Sequence, residues 1–277
     1  MTISDIKLMR LHADILFVHD TAGRLLYVNE SVDPEDYPAP IIYVGRTQEG
    51  TVYRCRWDVP EVICFQAQDT VNLFGTLNMT EHRGLVSELK DVVRSHAEVG
   101  NVWSGLAHRF HDVVEVSSCN VFVDRSNSEL LGGGFDDIIP ELEVAQPCVA
   151  LVVDGRAVSI CRSVRKSAFA DEAGVEALPE YRQRGFAISV VGTWASIVHG
   201  AGRIRLYSTA WSNTPSQGLA AKLGLIMYGT DLHISKEIGG GGRSGSLDAK
   251  LRGDASVDDE FRAGHVSRLV RCKIKDA

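Results

Sequence analysis

Leu178-Pro179-Glu180-Tyr181-Arg182-Gln183-Arg184-Gly185-Phe186-Ala187 decides how this chain is read. The residues before it, Glu172 to Leu178, predict a strand that stops at a proline, and Arg182 to Val198 predict a helix. A short turn carrying Arg and Gly therefore opens directly into a helix. Amides at a helix start lack intrahelical acceptors and sit at the positive end of the dipole, so they bind phosphate oxygens. Gly185 and the small Ala187 let such an anion approach the backbone closely. The same letters also suit an ordinary strand-to-helix turn with surface arginines.

Downstream, a strand from Arg203 to Ser208 runs through Thr209-Ala210-Trp211-Ser212-Asn213 into a helix, Pro215 to Leu223, closed by Gly224. A last strand follows from Leu225 to Ile234. Upstream, the apolar runs Cys148 to Val153 and Ala157 to Val164 flank Asp154-Gly155, a strong hairpin dipeptide. Hairpin, strand, helix, strand, helix, strand is a mixed α/β order.

Two motifs within this order resemble the GNAT superfamily of acetyl-coenzyme A dependent N-acyltransferases, of the bacterial small-molecule type. The family's motif A, (Gln/Arg)-x-x-Gly-x-(Gly/Ala), is matched by Arg182-x-x-Gly185-x-Ala187 after Pro179-Glu180-Tyr181. Its motif B, an Asn before a helix ending in Lys-Leu-Gly, is matched by Asn213 through Lys222-Leu223-Gly224-Leu225. The resemblance covers Cys148 to Ile234. It implies a GNAT fold, a mixed and mostly antiparallel sheet with helices on both faces and an N-terminal α/β extension. It also implies transfer of an acetyl group from acetyl-coenzyme A, without a metal, to a primary amine of an unidentified acceptor, with an amine-bearing small molecule as the expected partner and polyamines, amino-sugars, antibiotics and protein N-termini all left open.

The resemblance further assigns residues. Amides from Gln183 through Arg184, Gly185 and Phe186 to Ala187 would hold the coenzyme A pyrophosphate, with Arg182 and Arg184 able to pair its charge. Pantetheine would add like a strand along Val175, Ala177 and Leu178. Asn213 would face the pantetheine, although an Asn before Thr214-Pro215 is equally a helix cap. A base must take a proton from the acceptor ammonium. Glu172 and Glu176, alternating onto one strand face, are the candidates, directly or through a water. The family's usual acid on the motif B helix falls at Ala220, so Ser216, Tyr207, Ser208 or a water is left to protonate the departing thiolate.

The first third reads as hairpins. Asp14 to His19 and Arg24 to Asn29 flank Asp20-Thr21-Ala22-Gly23, and Pro40 to Arg46 and Thr51 to Trp57 flank Thr47-Gln48-Glu49-Gly50. Helical spacing runs from Thr80 to His96. The glycines and prolines of Leu131 to Pro147 suggest a boundary, giving an N-terminal α/β region over 1–145 that shapes the acceptor pocket, a transferase core over 146–237, and a Gly-rich charged tail over 238–277 with a short helix near Asp258 to Ala263. The hairpin around Asp20 also locally resembles the opening of PAS domains. That keeps a second reading, a non-catalytic module binding a ligand or acyl-coenzyme A.

Composition bounds the rest. At 277 residues the chain buries roughly three quarters of its unfolded surface. A net charge of −7 offers no field for a phosphate polymer, so nucleic acid is not an expected partner. The six cysteines are scattered without a C-x-x-C and read as free thiols of a cytoplasmic protein. No apolar run approaches the ~20 residues that span a bilayer, so no membrane partner is expected. A homodimer is left open as the assembly. His108-x-x-His111-x-x-x-Glu115 has ligand spacing on a helix, but lacks a fourth partner, and is read as histidines on a partly buried helical face.

Overall fold

The computed structural model describes residues 3–29, 37–74, 79–111 and 119–237. The predicted tail and its short helix, and Glu115, lie outside the described residues. Elements run α1 (Asp5–Leu16), β1 (Phe17–His19), β2 (Leu25–Val28), β3 (Ile42–Thr47), β4 (Gly50–Cys55), α2 (Glu61–Leu73), α3 (Met79–Arg94), β5 (Val99–Arg109) and β6 (Asn120–Phe122). Two 3-10 segments, Arg125–Leu131 and Asp136–Glu141, lead to β7 (Cys148–Val153), β8 (Arg156–Lys166), β9 (Ala170–Ala177), α4 (Phe186–Gly200), β10 (Ile204–Ala210), α5 (Thr214–Lys222) and β11 (Ile226–Lys236).

Nine strands form one sheet in the order β4-β3-β11-β5-β10-β9-β8-β7-β6. Every neighbouring pair is antiparallel except β9 and β10. This is the mixed α/β class expected from the sequence. The sheet takes strands from both sides of the 131–147 break. β10 and β11 are not neighbours, because β5 lies between them, with Ala210 and Asp231 both registered on Gly105.

Alternation along the strands sorts the core into two faces. Tyr207 packs with Val190, Trp194 and Val198 of α4 and Leu219 of α5, while its neighbour Leu206 packs with Leu8, Met9 and Tyr43 beneath α1. Leu232 and Ile234 likewise meet α2 and α3, opposite to Tyr228. α1 forms because Leu8, Met9, His12, Ala13, Ile15 and Leu16 recur at helical spacing, with Asp5 in the favourable first turn. This corrects the first hairpin: Asp14 to Leu16 end a helix, and only Phe17–His19 pairs with Leu25–Val28. The turn between them is as expected, with Asp20 Oδ1 accepting from the amides of Ala22 and Arg24 and Gly23 at φ 78°. Asp154 and Gly155 take φ values of 50° and 77°, the left-handed pair that a two-residue hairpin demands.

A second correction concerns the histidines. His108 lies on the strand β5, buried against Tyr207, so it shares no helical face with His111. Burial pushes its imidazole pKa down. Among the described residues no group of three ligating side chains gathers, and no helix is long and apolar enough to cross a membrane.

Candidate active site

β9 and β10 run side by side only over Ile204↔Ala170, Arg205↔Asp171 and Leu206↔Glu172. Past Glu172 they diverge: β9 continues to Ala177 on β8, and β10 continues to Ala210 on β5. The inner edge of β9 from Ala173 onward, including Val175 and Ala177, is thus separated from any ladder with β10. Ladder groups left over at a splay are a template for an added extended segment.

The turn that follows β9 closes the same end of the site. Leu178 donates its amide to Val158 O at 3.0 Å, and Pro179–Tyr181 makes one 3-10 turn. Gln183 and Gly185 then adopt φ of 60° and 81°, and α4 starts at Phe186, four residues later than the pattern predicted. The delay has a cause: left-handed residues cannot continue a right-handed helix, so 182–185 form an irregular loop. Ser189 makes the first intrahelical bond, to Gly185 O at 3.2 Å. The amides of Phe186, Ala187 and Ile188 precede it and point out of the helix start. Gln183, Arg184 and Gly185 are exposed, and a Cβ built on Gly185 would meet no atom within 4 Å. Arg182 donates from Nε to Ala177 O at 3.2 Å, and the Arg184 guanidinium lies 5.1 Å from the Tyr181 ring centroid.

α4 is held rigidly behind this turn. Asn120 donates to Ser189 O at 2.9 Å and Thr193 Oγ1 at 2.6 Å. Farther along, Trp194 Nε1 donates to Ser163 Oγ at 3.1 Å, and Ser163 donates to the buried Asp171 at 2.7 Å. Arg203 completes the network on Asp171 at 2.6 Å.

Of the predicted acids, Tyr207 and Ser216 lie on the face of the sheet opposite the predicted bases, while Ser208 shares the face of Glu172. Tyr207 faces α5, which carries Ser216, and the two are buried and hydrogen-bonded to one another through their hydroxyls. Burial pushes the Tyr207 phenol pKa well up. Asn213 caps α5, its Oδ1 accepting from the Ser216 amide at 3.0 Å. Glu172 and Glu176 occupy the opposite face, as their alternation requires, roughly 13 Å apart along the strand. Glu172 is 2% exposed. Burial works against its charge, but Arg165 at 3.1 Å, His12 and the Ser208 hydroxyl hold its carboxyl below the usual range. Glu176 lies 3.8 Å from Arg162, and burial prevails there, raising its pKa.

Beside Glu172 the structure assembles side chains that sequence reading missed. A cavity of ≈ 30 Å³ lies on the α1 face, lined by Arg165, Ser208, Asp231, His233, Trp103 and Phe17 among others. That is room for about two waters. Asp231 Oδ2 meets His12 Nε2 at 3.3 Å, and His12 Nδ1 meets the Tyr228 hydroxyl at 3.0 Å. His233 stacks on Trp103 with ring centroids 4.8 Å apart, and burial with nearby Arg165 and His12 pushes its pKa down to about 3. His12 and Asp231 are 219 positions apart, so no local motif could announce their pairing. The one available signal was an aspartate inside the apolar run Leu225 to Ile234.

No protein-family model matches the chain, and no curated protein sequence does. Solved structures do resemble it. A GCN5-related N-acetyltransferase from Kribbella flavida matches at 15% identity over 88% of this chain and 99% of its own, with a TM-score of 0.43. A GCN5-related N-acetyltransferase-like protein from Streptococcus suis matches at 13% identity over 83% of this chain and 100% of its own, with a TM-score of 0.43. A GNAT-family acetyltransferase from Colwellia psychrerythraea matches at 11% identity over 86% of this chain and 98% of its own, with a TM-score of 0.40. The solved structures similar to this chain thus include several GNAT-family acetyltransferases.

Proposed function

We propose that this chain transfers an acetyl group from acetyl-coenzyme A to the primary amine of a small molecule. One observation carries the reading: the left-handed turn at Gln183 to Gly185 opens α4 beside the diverging ends of β9 and β10. The turn offers outward amides and an uncovered Gly185 to a pyrophosphate, and the edge from Val175 to Leu178 offers backbone groups to the pantetheine amides. A thioester laid along that edge brings its carbonyl to the divergence, next to Ser208 and Glu172.

In this reading the acceptor ammonium first gives up a proton. The free amine then attacks the thioester carbon, the new C–N bond forms, the C–S bond breaks, the thiolate leaves with the electron pair, and the proton the nitrogen still sheds goes to that thiolate to give free coenzyme A. Glu172, held ionised beside the divergence, takes the proton through a water and passes it on. Glu176, roughly 13 Å farther along the strand, is out of hydrogen-bond reach of an amine beside Glu172, although its raised pKa is nearer that of a proton acceptor at neutral pH. Ser216 and Tyr207 share one hydrogen bond, which can relay a proton to the thiolate if the sulfur reaches the start of α5. Residues 1–145 supply α1, β1 and β5 as walls of the acceptor side.

Calorimetric titration with acetyl-coenzyme A, together with a thiol-release assay across an amine panel, tests the proposal. Binding with release of free coenzyme A is the expected result. Binding with no release from any amine favours the non-catalytic module, and no binding at all overturns the transfer reading and leaves only a module for a different ligand.

A further inference from the structure

Phe17, Val28 and His233 line the inner cavity and also a second hollow of ≈ 470 Å³ that adjoins it. The outer hollow is walled by Tyr27, Pro38, Pro40 and Trp57, with charges at its margin. There Arg56 is already paired with Asp58 at 2.6 Å. The two hollows therefore share a wall of three side chains and, end to end, trace one path, narrow and partly charged at the inner end, wide and largely apolar at the outer.

The inner end carries an unmet demand. Asp231 is 1% exposed, and among the described residues its Oδ1 has no hydrogen-bond donor, although Oδ2 is engaged by His12. A buried carboxylate oxygen without a donor is costly, and an ammonium, with three donors, meets that need. The aromatic walls Phe17 and Trp103 suit a cation as well. Arg165, the cation in the lining, is engaged by Glu172, and His12 engages only the other oxygen of Asp231.

We propose that this path is the acceptor site, that Asp231 Oδ1 receives the ammonium, and that the acceptor is an aminoalkyl compound. Such a molecule has a slender unbranched chain ending in a primary amine and an apolar or aromatic body. The inner cavity admits little more than the ammonium and its first methylenes, so branching at the amine-bearing carbon is refused. A carboxylate beside the amine, as in an α-amino acid, is refused by Asp231 and Glu172 together. The inference rests on the acetyl-transfer reading, because the inner end abuts Ser208 and Glu172, where the thioester is placed.

The probes are 4-phenylbutylamine, butylamine and an α-amino acid of similar size, with acetyl-coenzyme A as donor. The expected result is acetylation of 4-phenylbutylamine with the lowest KM, a higher KM for butylamine, and no turnover of the amino acid. Asp231→Asn should raise KM for 4-phenylbutylamine at least about tenfold, the loss of a charge-assisted hydrogen bond, while calorimetry shows the same affinity for acetyl-coenzyme A. Trp57→Ala, at an exposed position where folding is not at stake, should raise KM for 4-phenylbutylamine more than for butylamine. Preferred turnover of the amino acid, or unaltered KM for 4-phenylbutylamine in either variant, overturns the acceptor assignment and leaves the transfer reading standing. Failure to bind acetyl-coenzyme A would instead overturn the transfer reading on which the inference rests.

Discussion

Replacing Gly185 by aspartate separates the effect of charge at the turn from any effect on folding. Gly185 holds φ at 81°, so an L-residue there costs about 1 kcal/mol of backbone strain. The added Cβ meets nothing within 4 Å, so no packing penalty joins that cost. For a chain of this size the loss lowers Tm by only about 2–4 °C. The effect on the cofactor is larger. A carboxylate about 5 Å from one charged pyrophosphate oxygen is repelled by about 0.8 kcal/mol in a fully water-like medium and about 3 kcal/mol at the effective dielectric of a protein surface. Affinity for acetyl-coenzyme A should therefore fall about 4-fold to 160-fold. Gly185→Ala carries the same strain without the charge and should keep more of the affinity. Added salt should narrow the gap between the two variants. Calorimetry on both proteins, with thermal melts alongside, reads every quantity. A Gly185→Asp protein that melts within a few degrees of wild type and binds acetyl-coenzyme A equally well would refute the placement of the pyrophosphate.

Asp171→Ala removes the carboxylate that Ser163 and Arg203 share and should cost about 3 kcal/mol, seen as a lower urea midpoint. Trp194→Phe loses the Nε1 bond to Ser163 and part of the ring packing at a fully buried position, and should cost about 2 kcal/mol or more in the same measurement. Stability should also depend on pH through His12: burial opposes its charge, but Asp231 and Glu172 together outweigh burial and raise its pKa. That contribution is fully present below the ordinary imidazole pKa of about 6.5 and is lost as pH rises through the higher folded-state value. His12→Gln should flatten this slope, as urea midpoints taken across the range will show. Residues 146–237 expressed alone should not give a cooperative melt, because β10 and β11 are joined only through β5 from outside that span. A sharp thermal transition for that fragment would contradict the strand order.

What the sequence disclosed was local. Asp154-Gly155 announced its hairpin because two left-handed residues are a strong, short-range signal. Arg182 to Ala187 announced the turn for the same reason, although Gln183 and Gly185 delayed the helix beyond the position that periodicity alone suggested. What stayed hidden was long-range. β5 reads Val-Gly-Asn-Val-Trp-Ser-Gly-Leu-Ala-His-Arg, with glycines that weaken any strand propensity. Gly105 is nevertheless apt, since a Cβ there would lie 2.6 Å from the Trp103 ring. α1 mixes acids and bases with its apolar residues, and its burial depends on a sheet assembled from distant segments. The pairings of the inner cavity, His12 with Asp231 and Glu172 with Ser208, join residues that no sequence window contains together.

The position of β11 sets a schedule for synthesis. This strand, the last of those described, enters between β3 and β5, which are not neighbours of each other. A ribosome delivers those two strands well over a hundred residues before the wedge that joins them, so each waits with an unpaired edge while the turn at Gly185 and both helices behind it are still being made. The sheet therefore closes from its middle and late, which favours slow folding and makes the nascent chain depend on protection of those waiting edges.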